Sequence, residues 1–287
     1  MRRTPTGLLA LAAIVAWSPA AKAQTCEPPP SSNEASIFAI RSLGLAFGRG
    51  TTIAFEGTGA VRVGAEIALL PKIGDVTATP TSCRPDKGPE NVNSLPVFAR
   101  PRIAVTLPGR LVLEASWLPP VELRGMKGNL AGVSLARASV VRPGLTIVAR
   151  AHAVRGVITG PFTCSEDDVR DSESECFGGA ASEDRYRPNI TGADLSADWS
   201  RTSGLTLSAG TGYSRLEPRF RVHFRNAAGV LDSTLVRTDL NRIVLFVAAS
   251  RTFATRWRGG AELYATPDDG ATVRAVVDVG VRQGREP

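Results

Sequence analysis

Residues 99–118 read ARPRIAVTLPGRLVLEASWL. Ala99, Pro101, Ile103, Val105 and Leu107 fall on one side of an extended chain, and Arg100, Arg102, Ala104 and Thr106 fall on the other. After Pro108-Gly109-Arg110 the alternation resumes, with Leu111, Leu113, Ala115 and Trp117 set against Val112, Glu114 and Ser116. A period of two is the signature of a strand with one apolar face, and a Pro-Gly pair between two such runs marks a hairpin. Each run is eight or more residues, longer than the five or six typical of soluble sheets and close to a tilted membrane-crossing strand.

The same pattern repeats in both directions from this hairpin. Val61–Leu69, Leu145–Val154, Ala193–Ser200 and Val273–Arg282 each place apolar residues on alternate positions. Eleven runs are expected: 51–58, 61–72, 97–107, 110–118, 129–139, 145–157, 190–201, 205–215, 239–252, 256–265 and 272–283. Short connections (57–60, 108–109, 142–144, 201–204, 253–255) alternate with long ones (73–96, 119–128, 158–189, 216–238, 266–271). Bacterial single-chain barrels have even strand numbers, short turns at one end and long loops at the other. The segment 36–48 (SIFAIRSLGLAFG) then supplies a twelfth strand, or else a short helix inside or below the barrel. The predicted fold is an all-β, antiparallel transmembrane β-barrel of about 12 strands. Trp117 and Tyr213 fall at the long-loop ends of their strands, Trp199 and Trp257 at the short-turn ends, as in the two aromatic girdles of such barrels.

Composition agrees. Of the 287 residues, 43% are apolar and 21% charged, which excludes a disordered chain. No stretch is apolar for the ~20 residues of a membrane helix. Residues 1–23 combine Arg2 and Arg3, an apolar run from Leu8 to Trp17 and an Ala21-Lys22-Ala23 site, the plan of a secretory signal peptide. Its removal takes three basic residues from the net +7, leaving +4 (7 − 3), too little to point to nucleic acid. Residues 24–35 are expected to be a flexible N-terminal segment, and residues 36–287 the barrel domain.

Leader, alternating strands and alternating loops resemble bacterial outer-membrane β-barrel proteins. The stretch Leu107–Pro120 is similar to a hairpin of uncharacterised barrels, some distantly like the hydrophobic-compound transporters typified by the long-chain fatty-acid channel. The resemblance implies a cell outer-membrane location, lipid as a partner and a small-molecule solute. The family pattern ends its last strand on an aromatic residue, where this chain reads Val281-Arg282-Gln283-Gly284-Arg285-Glu286-Pro287.

The polar face assigns Arg62, Glu66, Arg100, Arg102, Glu114, Arg150, Asp194, Asp198, Arg242, Arg258, Glu262, Arg274 and Asp278 to the lumen, with Arg282 at its end. Two readings stay open. Rings of charge can line a narrow, weakly anion-favouring passage, or Arg–carboxylate pairs can fill the lumen as a plug. Cys164 and Cys176 fall in one connection of an exported chain and are expected to form a disulfide. Cys26 and Cys83 could pair only if 36–48 does not cross the membrane. The acidic run between Cys164 and Cys176 lacks the spacing of a calcium loop and reads as a solvated surface. His152 and His223 are the only histidines, and no hydrolase, cofactor or metal motif accompanies them, so no catalytic residue is assigned. The strip Arg219-Phe220-Arg221-Val222-His223-Phe224-Arg225 reads as a strand continuing beyond the membrane, able to pair with an anionic group. Passive transport through a narrow lumen is the expected function, a closed structural or surface-interaction barrel the alternative and a lipid-modifying barrel enzyme the third possibility.

Overall fold

The computed structural model describes residues 32–49, 57–79, 92–93, 96–123, 125–200, 204–254 and 256–282. The expected signal peptide, Cys26, Cys83 and most of the run 51–58 lie outside the described residues. Ten strands form a closed antiparallel meander: β1 (Val61–Leu69), β2 (Val97–Leu107), β3 (Leu111–Leu118), β4 (Met126–Arg142), β5 (Leu145–Gly160), β6 (Ile190–Ser200), β7 (Leu205–Leu216), β8 (Leu240–Thr252), β9 (Trp257–Thr266) and β10 (Gly270–Arg282). The ring closes where β1 pairs with β10, from Val61 opposite Arg282 to Leu69 opposite Val273. Closure matters because it leaves no row of unpaired backbone groups along an edge.

The strand number corrects the expectation of about twelve. The segment 36–48 is not a strand: Ser32–Leu45 is a helix, α1, followed by an extended strap from Ala46 to Arg49. Acidic Glu34 stands in its first turn, where the helix dipole favours it. Of the two readings of 36–48, the short helix inside the barrel is the one observed, and its burial explains why the sequence left the choice open. Ile37, Phe38, Ala39, Leu43 and Leu45 are all buried, so no solvent-facing stripe imposes a 3.6-residue period.

The wall is inverted relative to a soluble protein. Outward positions carry Val63, Ile67, Ile103, Leu113, Leu135, Leu195, Leu207, Leu245, Val247, Leu263 and Val277, all exposed. Trp117 and Tyr213 face outward near one rim, and Trp199 and Trp257 near the other. Inward positions carry buried Glu66, Arg102, Arg150, Asp198 and Arg274. Turn chemistry sets the short-turn end. Between β4 and β5 only Pro143 and Gly144 intervene, and Gly144 has φ 78°, which a side chain with a Cβ rarely adopts.

On one side the wall rises above the rest. Short strands Asp184–Arg187, Arg219–Arg221 and Leu235–Arg237 pair side by side next to the upper part of β5. A further hairpin pairs Phe224–Arg225 with Leu231–Asp232. The Cys164–Cys176 disulfide is present in the loop before Asp184, buried against Val222 and Phe224. It therefore links the folding of two long loops.

Candidate functional site: the plugged lumen and its outer mouth

The N-terminal segment passes down the barrel. At the long-loop end α1 packs on Ile73, Ala78 and Val92 of the β1–β2 loop. The chain then descends, held rung by rung through its backbone. Arg274 Nη2 donates to the Leu43 carbonyl, Arg100 donates to Leu45 O (3.2 Å) and Ala46 O (2.8 Å), and Gly48 O accepts from Arg102 (3.1 Å) and Arg150 (2.9 Å). Arg49 N donates to Glu262 Oε2 at 2.8 Å and its guanidinium to Asp198 at 2.7 Å, near the short-turn end of β6. Gly57–Ala60 then forms a turn beside the end of β2, with Gly59 N donating to Thr106 O.

An extended strap inside a barrel has backbone carbonyls with no strand partner, and a buried unpaired carbonyl is costly. The wall arginines supply the missing donors. Each guanidinium is in turn held by a carboxylate. Arg100 donates to Glu66 at 2.7 Å, Arg102 donates to Glu66 and, at 3.1 Å, to Glu114, and Arg150 donates twice to Asp194 Oδ2 at 2.9 and 2.7 Å. Arg274 donates to Glu262 at 2.7 Å. Phe47, fully buried, completes the plug. The guanidiniums of Arg100 and Arg102 stack over its ring at 5.4 and 4.7 Å. Gly132 makes room for that ring, since a Cβ there would stand 2.6 Å from Phe47 Cδ2.

Of the remaining charged positions, Arg62 pairs with Asp278 and Arg258 is buried lower on β9, its Nε 3.5 Å from Thr252 Oγ1. Arg242 grips Asp269 with two nitrogens at 2.6 and 3.2 Å, at the long-loop rim. Arg282 is exposed at the end of β10. Arg62, Arg100, Arg102, Arg150, Arg242 and Arg274 are thus each joined to a carboxylate, and Arg100, Arg102, Arg150 and Arg274 to backbone carbonyls of the N-terminal segment as well. His152 lies 3.5 Å from Asp194 and opposite Ser134 in the β4–β5 register, but Ser134 Oγ donates to Glu114 at 3.2 Å. Both are buried. In the disulfide loop Asp168 caps a turn through Ser165 N at 2.7 Å, and no group of three metal-ligating side chains occurs among the described residues.

Above the plug lies a cavity of about 570 Å³. Its floor is α1, with Ile37, Phe38 and Arg41, and its walls are Leu70, Phe98, Leu118, Met126, Ile158, Phe162, Tyr186, Phe220 and Val236. Phe38 stacks on Tyr186 at 5.7 Å and Phe220 closes edge-on over Phe162 at 5.9 Å. Tyr186 OH lies 3.1 Å from Ser42 Oγ, and burial pushes this phenol up to about 12. Arg41 donates to Asn93 Oδ1 at 3.0 Å and to the Val92 carbonyl, and burial lowers its guanidinium to about 10. Phe220 belongs to the strip 219–225 that the sequence marks as a strand beyond the membrane, and Arg219–Arg221 is such a strand, but no residue was assigned to a cavity from the sequence. The same signal, an aromatic residue between arginines, recurs in Arg185-Tyr186-Arg187, within a connection read only as a long loop.

No family model matches the chain, and no curated relative matches it. Among solved structures the chain resembles outer-membrane β-barrels. The KdgM porin is 10% identical, over 77% of this chain and 99% of its own, with a TM-score of 0.34. The translocator domain of the autotransporter NalP from Neisseria meningitidis is 11% identical over 85% and 93%, with a TM-score of 0.36. The Ralstonia pickettii toluene transporter TbuX is 11% identical over 80% and 71%, with a TM-score of 0.36. The likeness extends to barrel architecture and no further.

Proposed function

We propose that this protein is an outer-membrane barrel that captures an apolar small molecule at its long-loop mouth and admits it past a movable N-terminal plug. The observation that carries the reading is the cavity of about 570 Å³, walled by aromatic and aliphatic side chains directly on top of α1. Ligand pockets of that size with few polar groups suit drug-sized apolar molecules. Membrane placement rests on the wall itself. A nine-residue strand such as β1 is roughly 30 Å long and, tilted by about 40°, rises about 23 Å, close to the apolar band of outer-membrane barrels. Exposed aliphatic side chains cover that height and aromatic residues stand near both rims. In water such a surface would drive association.

The solute is therefore of the apolar kind that the resemblance to hydrophobic-compound transporters implies, rather than the anion that a charge-lined passage would favour. The arginines that could have attracted an anion hold the strap and its carboxylates instead. A second reading, a closed barrel without transport, is favoured by the same filled lumen. The two separate in one assay. Purified protein is titrated with 1-N-phenylnaphthylamine, whose fluorescence rises in apolar sites, and then reconstituted into liposomes to follow passage of the dye to an internal quencher. Saturable binding that is weakened by Phe220→Ala, together with protein-dependent passage, supports uptake. Binding without passage supports the closed barrel, and absence of saturable binding overturns the capture site.

A further inference from the structure

The raised part of the wall has two faces with opposite chemistry. Tyr186, Phe220 and Val236 point inward to the cavity. The alternate residues are arginines on two of these short strands, Arg185 and Arg187 on the first and Arg219 and Arg221 on the second, and Leu235 and Arg237 on the third, with Leu235 opposite Arg221. Arg219 stands opposite Arg187 on one side and Arg237 on the other, and Arg221 stands opposite Arg185. Residues directly opposite in an antiparallel pair share a face, with Cβ atoms about 5 Å apart, and like charges so placed repel. Five guanidiniums therefore share one outward surface. Arg219 is engaged by Asp239 at 2.9 Å. For Arg185, Arg187, Arg221 and Arg237 no carboxylate lies within ion-pair distance among the described residues, and all four are exposed.

Directly below, the outer face changes to Leu195, Tyr213 and Ile243, each about half exposed or more, with the Arg215–Glu217 pair between. Arg219 follows Tyr213 by six residues, roughly 20 Å along the chain path and less in height because strands tilt. The arginine rows thus stand just above the apolar band, in the layer of lipid headgroups. We infer that this surface binds the phosphorylated saccharide headgroup of an outer-leaflet glycolipid, whose acyl chains lie along Leu195, Tyr213 and Ile243. Paired guanidinium forks match phosphate oxygens bidentately, and an anion laid across the rows removes their mutual repulsion. Continuity of the basic rows with the apolar wall selects a lipid over a soluble anion, because one molecule can satisfy both. The inference rests on the membrane placement proposed above and is independent of transport.

The test uses the full-length protein and a triple variant, Arg187→Gln with Arg221→Gln and Arg237→Gln, in phosphatidylcholine vesicles doped with diphosphorylated lipid A or its dephosphorylated form. Lipid retained by the detergent-extracted barrel is identified by mass spectrometry. The wild type is expected to retain the phosphorylated form roughly tenfold over the other, the ratio that one lost charge-assisted hydrogen bond accounts for, and the triple variant to retain both nearly equally. Salt should narrow the preference of the wild type. Heat-modifiable migration shows that each protein is folded, and single Arg221→Gln, with a smaller expected loss of preference, replaces the triple variant if that one does not assemble. Equal retention by the wild type, or an unchanged preference in the folded variant, overturns the inference while leaving the membrane placement intact. Preference for a soluble sulfated polysaccharide over the vesicle lipid overturns it as well. A folded barrel that fails to float with vesicles overturns the membrane placement and this inference together.

Discussion

Arg100 Nη2 lies 2.8 Å from the carbonyl oxygen of Ala46 and 2.7 Å from Glu66 Oε1, so one guanidinium joins the strap to the barrel wall. Arg100→Ala removes both contacts. It leaves Glu66 to Arg102 and two buried carbonyls without their donor. Breaking a buried pair by deleting one partner costs about 3–5 kcal/mol. The variant is expected to unfold at lower urea concentration and to leak small solutes from liposomes where the wild type does not. A variant that leaks no more than the wild type, with residues 43–49 still protected from protease, would show that the remaining rungs suffice.

Gly132 offers a way to disturb the plug without touching a charge. A methyl group added there meets Phe47 Cδ2 and Ser116 Oγ at 2.6 Å. Ser116 can rotate, but Phe47 is enclosed by two guanidiniums and must shift. Gly132→Ala is expected to lower stability by about 1–3 kcal/mol, the usual cost of overpacking. Combining it with Phe47→Ala should recover part of that loss, as measured by the melting of heat-modifiable migration. Simple additivity of the two losses would mean that the ring does not bear on the wall.

Alkaline titration reports on the seat of α1. The phenol of Tyr186 is raised to about 12 from its ordinary value near 10. A raised folded value means that its contribution to stability is whole below about pH 10 and is lost as pH climbs toward 12. Arg41, lowered to about 10, acts with the opposite sign, since its desolvation cost eases as it loses its proton above that pH. Tyr186→Phe keeps the stacking on Phe38 and removes the phenol. Between pH 10 and 12 the wild type should therefore lose stability relative to Tyr186→Phe. Parallel curves for the two proteins over that window would argue that the phenol is solvated.

Reduction separates loop from barrel. The Cys164–Cys176 bond closes a short loop, worth about 3 kcal/mol in the chain-entropy account, and is buried against Val222 and Phe224. Replacing both cysteines by serine is expected to speed proteolysis of residues 161–183 and to weaken dye binding at the mouth severalfold. Barrel assembly should persist, because the ten-strand ladder closes without this loop. Failure of the double variant to reach the heat-modifiable form would make the loop part of the folding core.

Much of this architecture was legible because the barrel imposes a strict rule on each strand. Outward residues meet an apolar surrounding and inward ones do not, so Val61–Leu69 or Leu111–Leu118 alternates in full view. The inner charges were legible for the same reason, as the polar half of the alternation. What they hold was not. Arg100, Arg102, Arg150 and Arg274 grip backbone carbonyls, and a carbonyl has no signature in a sequence. The segment 36–48 was legible only as either a strand or a short helix inside or below the barrel, since a helix surrounded by protein on all sides loses the stripe that would decide. Of the mouth only the Arg219–Arg225 strip was legible, because its other aromatic residues come from α1, β2 and the 158–189 loop and meet only after the chain has folded.

The descent of the strap constrains how this barrel can be made. Residues 43–49 run through the ring that the β1–β10 pairing closes, so once that seam has zipped along its nine residues the strap is captive. It cannot leave sideways. It can only slide along the axis, tethered below by the turn at Gly57–Ala60. The strap therefore takes its place by one of two routes, laid against β2, β5 and β9 while the ring is still an open, curved sheet, or drawn in along the axis after the first and last strands have joined. Closure leaves no third way in or out of the cylinder.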